Sequence, residues 1–308
     1  MSIFLAGLAL FFLGLEGNKA SLKRISASRI TFLLKKLSGN VFLSIFIGIA
    51  VTAVLQSSSA VSVILISLLE GEMIKLKPAA CILLGANVGT TITVQIISLP
   101  VLDLYPHLII AGLLLVIYGL VNSRKKVKYT GYILISFGAI FAGIQLMSAA
   151  FLGGKERNII SRVVKYADGK YSGILAGIFL TSLVQSSSII SGTTLSLAKN
   201  NLIGLPAAVA IALGSNVGTC ITAMLASYNC SQPAKILALI HLIFNITGII
   251  LLLIFFNNFI HYISLTSPHI FRQIANAHTL FNTIHLCIFF PLFYIFINRN
   301  GGDRLWKS

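Results

Sequence analysis

The chain of 308 residues is poor in charge. Asp, Glu, Lys and Arg make up 10% of it, where a soluble domain carries about 25%. Hydrophobic residues fill 56%, and mean hydropathy is +0.94. That leaves too little polar surface for a water-soluble body of this size, so a bilayer is the natural solvent. Negative charge is the scarcest component: 7 acidic residues stand against 23 basic ones, a net charge of +16. All of the acids (Glu16, Glu70, Glu72, Asp103, Glu156, Asp168, Asp303) fall at the ends of apolar segments or in loops. Intramembrane carboxylates are the usual proton relays of pumps and carriers, so their absence disfavours a proton-coupled mechanism. Sodium stays open, because hydroxyl, amide and backbone carbonyl oxygens can hold it. The four cysteines (Cys81, Cys220, Cys230, Cys287) show no CxxC and no His/Cys ligand spacing, which disfavours a disulfide framework or a zinc site. A basic n-region is also missing, so the apolar N-terminus reads as a first span rather than a signal peptide. Basic residues sit in short connections instead of forming a patch on a polar surface. That pattern excludes nucleic acid as a partner and marks membrane topology.

Two apolar stretches, residues 41–69 and 172–198, are too long for one untilted span of about 20 residues. Each is interrupted by Gln-Ser-Ser-Ser. Gln56-Ser57-Ser58-Ser59 recurs as Gln185-Ser186-Ser187-Ser188, an offset of 129 residues. The segment from Gly85 to Thr90 (GANVGT) recurs at the same offset as Gly214 to Thr219 (GSNVGT). Without a gap, 22 of the 46 positions from Gly48 to Thr93 are identical to their counterparts. The chain is a duplication: repeat one over 1–122, repeat two over 129–256, an outer loop and last span over 257–298, and a cytoplasmic tail over 299–308.

Charge sets the relative orientation. The loop expected at 16–40, the connection after Val121, and the tail are basic, and the positive-inside rule places all three in the cytoplasm. That is consistent only if each QSSS segment is a hairpin that enters and leaves on one side. An odd number of crossings then separates the halves, and the repeats are inverted. The basic stretch 153–170 falls outside in this scheme, either as a surface-lying amphipathic strip or as a plain loop. Basic residues still number 16 inside against 7 outside. The expected fold is an all-α membrane protein of two inverted-topology repeats. Each has a re-entrant hairpin with a QSSS tip and a transmembrane helix broken at GxNxGT; a final span follows. Multi-pass insertion in the cell membrane follows from this.

Polar backbone at membrane depth survives only where protein or a wet cavity receives it. A helix starting near Ser58 offers free N–H groups and a partial positive charge, an anion site by construction. The serine hydroxyls and the Gln56 amide add donors, and Gln185–Ser188 offers the same set from the opposite face. In GxNxGT, two glycines bracket Asn87 and permit local unwinding. Unwound carbonyls seat coupling sodium in inverted-repeat carriers. Thr90 and Thr93, like Thr219 and Thr222, share one helix face. Packing by small residues is the competing reading, and the doubling at one offset weighs against it. Two HxxFN segments, His241–Asn245 and His278–Asn282, place a His and an Asn on one face. An interhelical hydrogen bond is the preferred reading, with a cavity lining or gate as the alternative.

These residues resemble the type II sodium/phosphate cotransporter family: paired QSSS motifs, each followed some thirty residues later by GxNxGT, with residues 238–248 (ALIHLIFNITG) and 274–282 (IANAHTLFN) in addition. The resemblance implies symport of inorganic phosphate with sodium by alternating access. It implies phosphate binding at Ser57, Ser58, Ser186 and Ser187. It further implies sodium binding at Gln185, Ser186, Ser215, Thr219 and Thr222, with Gln56 and Asn87 as further candidates. Electrogenic members carry an Asp in the second arm of hairpin one, which this chain lacks. Many bacterial relatives append a soluble phosphate-regulator-like domain; no such segment is expected here, where the sequence stops at Ser308. No cofactor beyond the coupling ion is implied, and the resemblance leaves room for a homo-oligomer. The nearest alternative is a sodium-coupled carrier of another anion (dicarboxylate, sulfate, arsenate). A channel would lack sodium dependence. An enzyme is not expected: a serine hydrolase needs an oriented base beside its nucleophile, and the chain has no GxSxG.

Overall fold

The computed structural model describes residues 2–36, 40–99, 102–150 and 154–300. Among the described residues it is all helical. Repeat one begins with α1 (Ser2–Lys36), then α2 (Val41–Leu55), α3 (Ser58–Glu70), α4 (Leu76–Ile97) and α5 (Tyr105–Val121). Repeat two follows with α6 (Lys125–Ala149), α7 (Gly154–Lys165), α8 (Lys170–Val184), α9 (Ser187–Lys199), α10 (Leu205–Ser227) and α11 (Gln232–Ile254). The chain closes with α12 (Phe256–Ser264) and α13 (Ile270–Asn300). The sequence offset is reproduced residue for residue in both arms of each hairpin: α2 and α8, like α3 and α9, start and stop 129 positions apart.

Glycine sets the packing of each unit. A Cβ on Gly48 would run into the Ile82 carbonyl, and one on Gly85 into the Ile45 carbonyl. Their counterparts Gly177 and Gly214 meet Ile211 and Ile174 in the same way. One turn further on, Gly89 faces Thr52, and Gly218 faces Thr181. Contact positions rise together along both helices, so α2 runs parallel to α4, and α8 to α10. For α4 to begin level with the start of α2, α3 must turn back along it. The same holds for α9, and each QSSS segment is therefore a helical hairpin.

The two units point in opposite directions. Gln95 and Ser98 near the end of α4 meet Thr279 and Arg272 respectively, so α4 and α13 are antiparallel. Gly248 faces Phe281, and Phe244 faces His285, so α11 and α13 are antiparallel. A short turn makes α10 antiparallel to α11. Hence α10 is antiparallel to α4, and the repeats are inverted. The crossing of α1 with α6 repeats the message. A Cβ on Gly14 would meet Ser136 O and Ile140 N at 2.8 Å each, and one on Gly143 would meet Gly7 O at 2.7 Å and Phe11 N at 2.6 Å. Gly14 and Gly143 are 129 apart, as are Gly7 and Ser136, and Phe11 and Ile140. Equivalent helices thus cross antiparallel through reciprocal contacts.

One expectation is corrected and two are given detail. Residues 16–36 are not a loop: α1 runs unbroken for 35 residues, about 52 Å at 1.5 Å per residue. Stretch 153–170 contains the helix α7, the offset partner of the end of α1, and both end on a lysine 129 apart, Lys36 and Lys165. The outer loop at 257–298 holds α12, and the final span starts earlier than its apolar core, with an apolar window over Ile270–Ile297. The helix is maintained there because Arg272, Asn276 and Thr279 are hydrogen-bonded to α4 rather than left to unravel in solvent. Of the expected tail 299–308, residues 301–308 lie outside the described residues.

Among the described residues six helices are long and apolar enough to cross a membrane, and α2, α3, α5 and α8 are shorter apolar helices. Outward faces are apolar too. Ile110, Leu113, Leu114 and Ile117 of α5 are exposed, as are Leu175, Phe179 and Leu183 of α8. Such stripes at helical spacing suit lipid. The interior holds unusual amounts of Ser, Thr, Asn and His.

Candidate functional site

Each hairpin tip is built the same way. Gln56 (φ 52°) and Gln185 (φ 56°) end the first arms in the left-handed region, a conformation that non-glycine residues seldom take. Their N–H groups donate to Thr52 O and Thr181 O at 2.6 and 2.7 Å. The following serines, Ser57 and Ser186, are extended and open the second arms as N-caps. Ser57 Oγ accepts from Ala60 N at 3.2 Å, while Ser186 makes no side-chain cap bond. Ser58, Ser59, Ser187 and Ser188 are buried in the first turn of their arms. Each tip therefore offers the free N–H groups of a helix start among several hydroxyls, which is chemistry for an oxyanion.

Beside the tips lies a set of buried hydroxyls with nothing to bind. Thr52, Thr93, Thr181 and Thr222 Oγ1 atoms are buried without a partner, as are Gln56 Oε1 and Ser191 Oγ. Thr52 and Thr181 are counterparts, and so are Thr93 and Thr222. An unsatisfied buried polar group costs roughly 1–3 kcal/mol, so its duplication in both halves asks for an explanation other than packing. Because α2 and α4 run in parallel, Gln56 lies level with Thr93 one turn beyond the Thr52–Gly89 contact. The sequence reading missed Thr52, Thr181 and Ser191. Identity of Thr52 with Thr181 at the offset was the available signal.

The GxNxGT helices depart from expectation. Both α4 and α10 are continuous through the motif. The glycines serve close approach of the neighbouring hairpin arm rather than unwinding. Polar side chains are turned onto the helix itself. Asn87 Nδ2 donates to Leu83 O at 3.0 Å, Ser215 Oγ to Ala212 O at 2.6 Å, and Thr219 Oγ1 to Asn216 O at 2.6 Å.

The HxxFN segments make the interhelical bonds expected of them. His278 Nε2 donates to Asn216 Oδ1 at 2.9 Å, and Asn216 Nδ2 donates to Asn282 Oδ1 at 3.3 Å. On the other side, Asn245 Nδ2 reaches Asn87 Oδ1 at 3.4 Å and its own helix at His241 O at 2.9 Å. Each HxxFN segment thus meets the Asn of one GxNxGT helix, a pairing that sequence alone did not reveal. His285, given no role from sequence, donates from Nε2 to Phe244 O at 2.7 Å among Phe244, Phe281 and Phe289.

The structure therefore joins Asn87 to α11 and Asn216 to α13. It also packs the second arm of each hairpin on the Asn-bearing helix of the other repeat, α3 on α10 and α9 on α4. Ser57, Ser58, Ser186 and Ser187 stay at the hairpin tips, and Gln185 is exposed. Glu70, at the turn after α3, accepts from Ser231 N at 2.7 Å and from the Ser231 hydroxyl. Those two bonds, with Lys235 nearby, hold its carboxyl below the usual carboxylate range.

Inverted repeats, hairpins with donor-lined tips and a polar interior inside apolar walls define a membrane carrier. The chain belongs to the Na+/Pi-cotransporter family, which it matches twice, over residues 10–149 and 148–290. Phosphate transport is the activity this membership supports. It is 32% identical over 298 residues to "Uncharacterized protein YqeW" of Bacillus subtilis, covering 96% of this chain and 95% of that one. It is 25% identical to "Putative inorganic phosphate export protein YjbB" of Escherichia coli over 93% of this chain, and spans 52% of that protein. A 135-residue stretch is 33% identical to human "Sodium-dependent phosphate transport protein 2C", covering 39% of this chain and 22% of that one. No solved structure matches the chain.

Proposed function

We propose that the protein moves inorganic phosphate across the cell membrane together with sodium, by alternating access of its two inverted repeats. The observation that carries this reading is the doubled tip: left-handed Gln, extended Ser and a buried serine pair, once in each orientation. Ser57 and Ser58 with Ser186 and Ser187 bind phosphate through hydroxyls and first-turn N–H groups. Sodium is held by oxygens of Gln185, Ser186, Ser215, Thr219 and Thr222 in repeat two, with Gln56 and Asn87 of repeat one as further candidates. The unpartnered oxygens of Gln56 and Thr222 support a cation role, since a bound ion would satisfy them. Ser215 and Thr219 hydroxyls donate to helix carbonyls and keep lone pairs free for a cation. Intact α4 and α10 imply that side-chain oxygens, not unwound carbonyls, do most of this work.

Purified protein in liposomes tests the proposal. Labelled phosphate should accumulate under an inward sodium gradient and not under an equal potassium gradient. Uptake driven equally by potassium or by a pH gradient overturns sodium coupling. Competition by succinate or sulfate stronger than by phosphate reassigns the anion. A preference for efflux from phosphate-loaded vesicles would place the chain with the relative named for export.

A further inference from the structure

The two histidines of the HxxFN segments lie at the centre of the molecule and take no part in the binding sets above. Both are fully buried. They occupy matching places: α11 and α13 each pack against both α4 and α10, and Asn245 meets Asn87 as Asn282 meets Asn216. In these contacts α11 stands to α10 as α13 stands to α4, so His241 and His278 hold equivalent places about the axis that exchanges α4 with α10, even though the 129-residue offset pairs α11 with α5.

Their bonding is nevertheless unequal. His278 Nε2 holds Asn216 Oδ1 at 2.9 Å. Both ring nitrogens of His241 are buried without a partner, and so is Asn245 Oδ1. Asn216 is thereby fixed through both ends of its amide, by His278 and Asn282. Asn87 receives only the long 3.4 Å contact from Asn245. The hairpin tips show a parallel inequality: Gln56 is buried and Gln185 is exposed.

In a carrier of inverted repeats, a state in which the halves differ has a mirror state in which the two arrangements are exchanged. We infer that His278 and His241 are reciprocal positioning residues: the hydrogen bond to the GxNxGT asparagine passes from His278–Asn216 to His241–Asn87 as the carrier turns over. This rests on the alternating-access reading, but not on which ions are carried. His241 then has a reason to be buried and unbonded. It is waiting in the half-cycle in which its partner is engaged. Asn216 stands between Ser215 and Thr219, so its release would loosen the helix that carries the proposed sodium oxygens of repeat two.

Hydrogen–deuterium exchange of the full chain in lipid nanodiscs tests this without any transport assay. In the wild type, amides of residues 56–60 should exchange more slowly than those of 185–189. His278→Ala removes a bond specific to this state and should shift the ratio of the two rates by roughly two- to tenfold, the worth of one hydrogen bond. His241→Ala should shift it in the opposite direction, and the double variant should return close to the wild-type ratio. His278→Gln keeps a donor and should resemble the wild type. Shifts of both single variants in one direction, or a double variant no nearer the wild-type ratio than either single variant, would overturn the proposal. Should the alanine variants not fold, ring-nitrogen NMR of wild-type protein in bilayers serves instead. Each histidine should then show two exchanging environments with complementary populations; one fixed environment per ring overturns the exchange. A chain that shows opposite shifts yet takes up no phosphate keeps this inference and loses the substrate assignment.

Discussion

The two hairpin tips share the sequence QSSS, the left-handed glutamine and the extended serine, and still differ in their surroundings. Gln56 is 4% exposed and its Oε1 is unpartnered, whereas Gln185 is exposed. Ser57 caps its helix; Ser186 does not. Local sequence therefore dictates the backbone of a tip, and its neighbours dictate whether the tip is covered. Both first arms expose apolar residues far from the tip, Phe42 and Phe46 in hairpin one among them, but next to the tip of hairpin one Val54 is half-buried and Leu55 buried. The first arm of hairpin two shows Leu175, Phe179, Leu183 and Val184 at its surface. A pair of identical parts held in unequal settings fits the alternating cycle proposed above.

The strongest way to break the comparison is at the glycine seams. Gly85→Val and Gly214→Val should both abolish folded protein, read by size-exclusion profile, because the obstacle is a backbone carbonyl that cannot move aside. Overpacking typically costs about 1–3 kcal/mol even where side chains can yield. Tolerance of one substitution alone would mean that the two seams are not equivalent.

Serine substitutions should separate stability from transport. Both Ser57→Ala and Ser186→Ala should lower phosphate uptake roughly tenfold or more, the worth of a hydrogen bond to a charged ligand. Only Ser57→Ala should also lower thermal stability, by about 1 kcal/mol for a lost cap. Equal melting temperatures would show that the cap difference between the tips has no energetic weight. At the next level, Thr52→Val and Thr181→Val keep shape and remove an unsatisfied hydroxyl. Each should leave stability unchanged or raise it by about 1 kcal/mol, while raising the sodium concentration for half-maximal uptake. Loss of stability would instead give these hydroxyls a structural role.

The smallest effect concerns the ends of the hairpins. Glu70 ties the end of α3 to the start of α11 and has its pKa lowered from the ordinary value of 4.5 by bonds from Ser231. Its counterpart is Lys199, which has no such acceptor to offer. A group whose folded pKa is lowered stabilises fully above its unfolded pKa and loses that contribution as pH falls through the folded value. Thermal stability should therefore show a small acid-side decline that Glu70→Gln removes. An unchanged acid profile would leave this contact without energetic weight.

Much of the architecture was legible in the sequence because a duplication prints its geometry twice. The offset of 129 located the hairpin arms, and the basic connections gave the inversion. Helix breaking at GxNxGT was misread, since glycine in a helix signals flexibility and close approach equally well, and only the Ile45 and Ile174 carbonyls decide between them. The loop expected at 16–40 was misread because its basic residues follow a span, and charge marks a side of the membrane without marking where a helix ends. Pairing of His278 with Asn216 joins residues 62 positions apart on different helices, information that no local pattern carries. The unpartnered threonines were hidden for the same reason: an identity at the offset shows that a residue recurs, not that its hydroxyl is left without a partner.

The crossing of α1 with α6 has a consequence for how such a chain arises. Gly14 and Gly143 meet the same two offset-related residues on the opposing helix, so the seam between the repeats has the reciprocal form of a homodimer interface carried within one polypeptide. Before joining, a half-length protein would have needed to insert into the membrane both ways up to form it. The connection at Asn122–Arg124 is then a tether laid over an interface that assembles by itself. Two halves made separately and meeting in one bilayer should find the same seam.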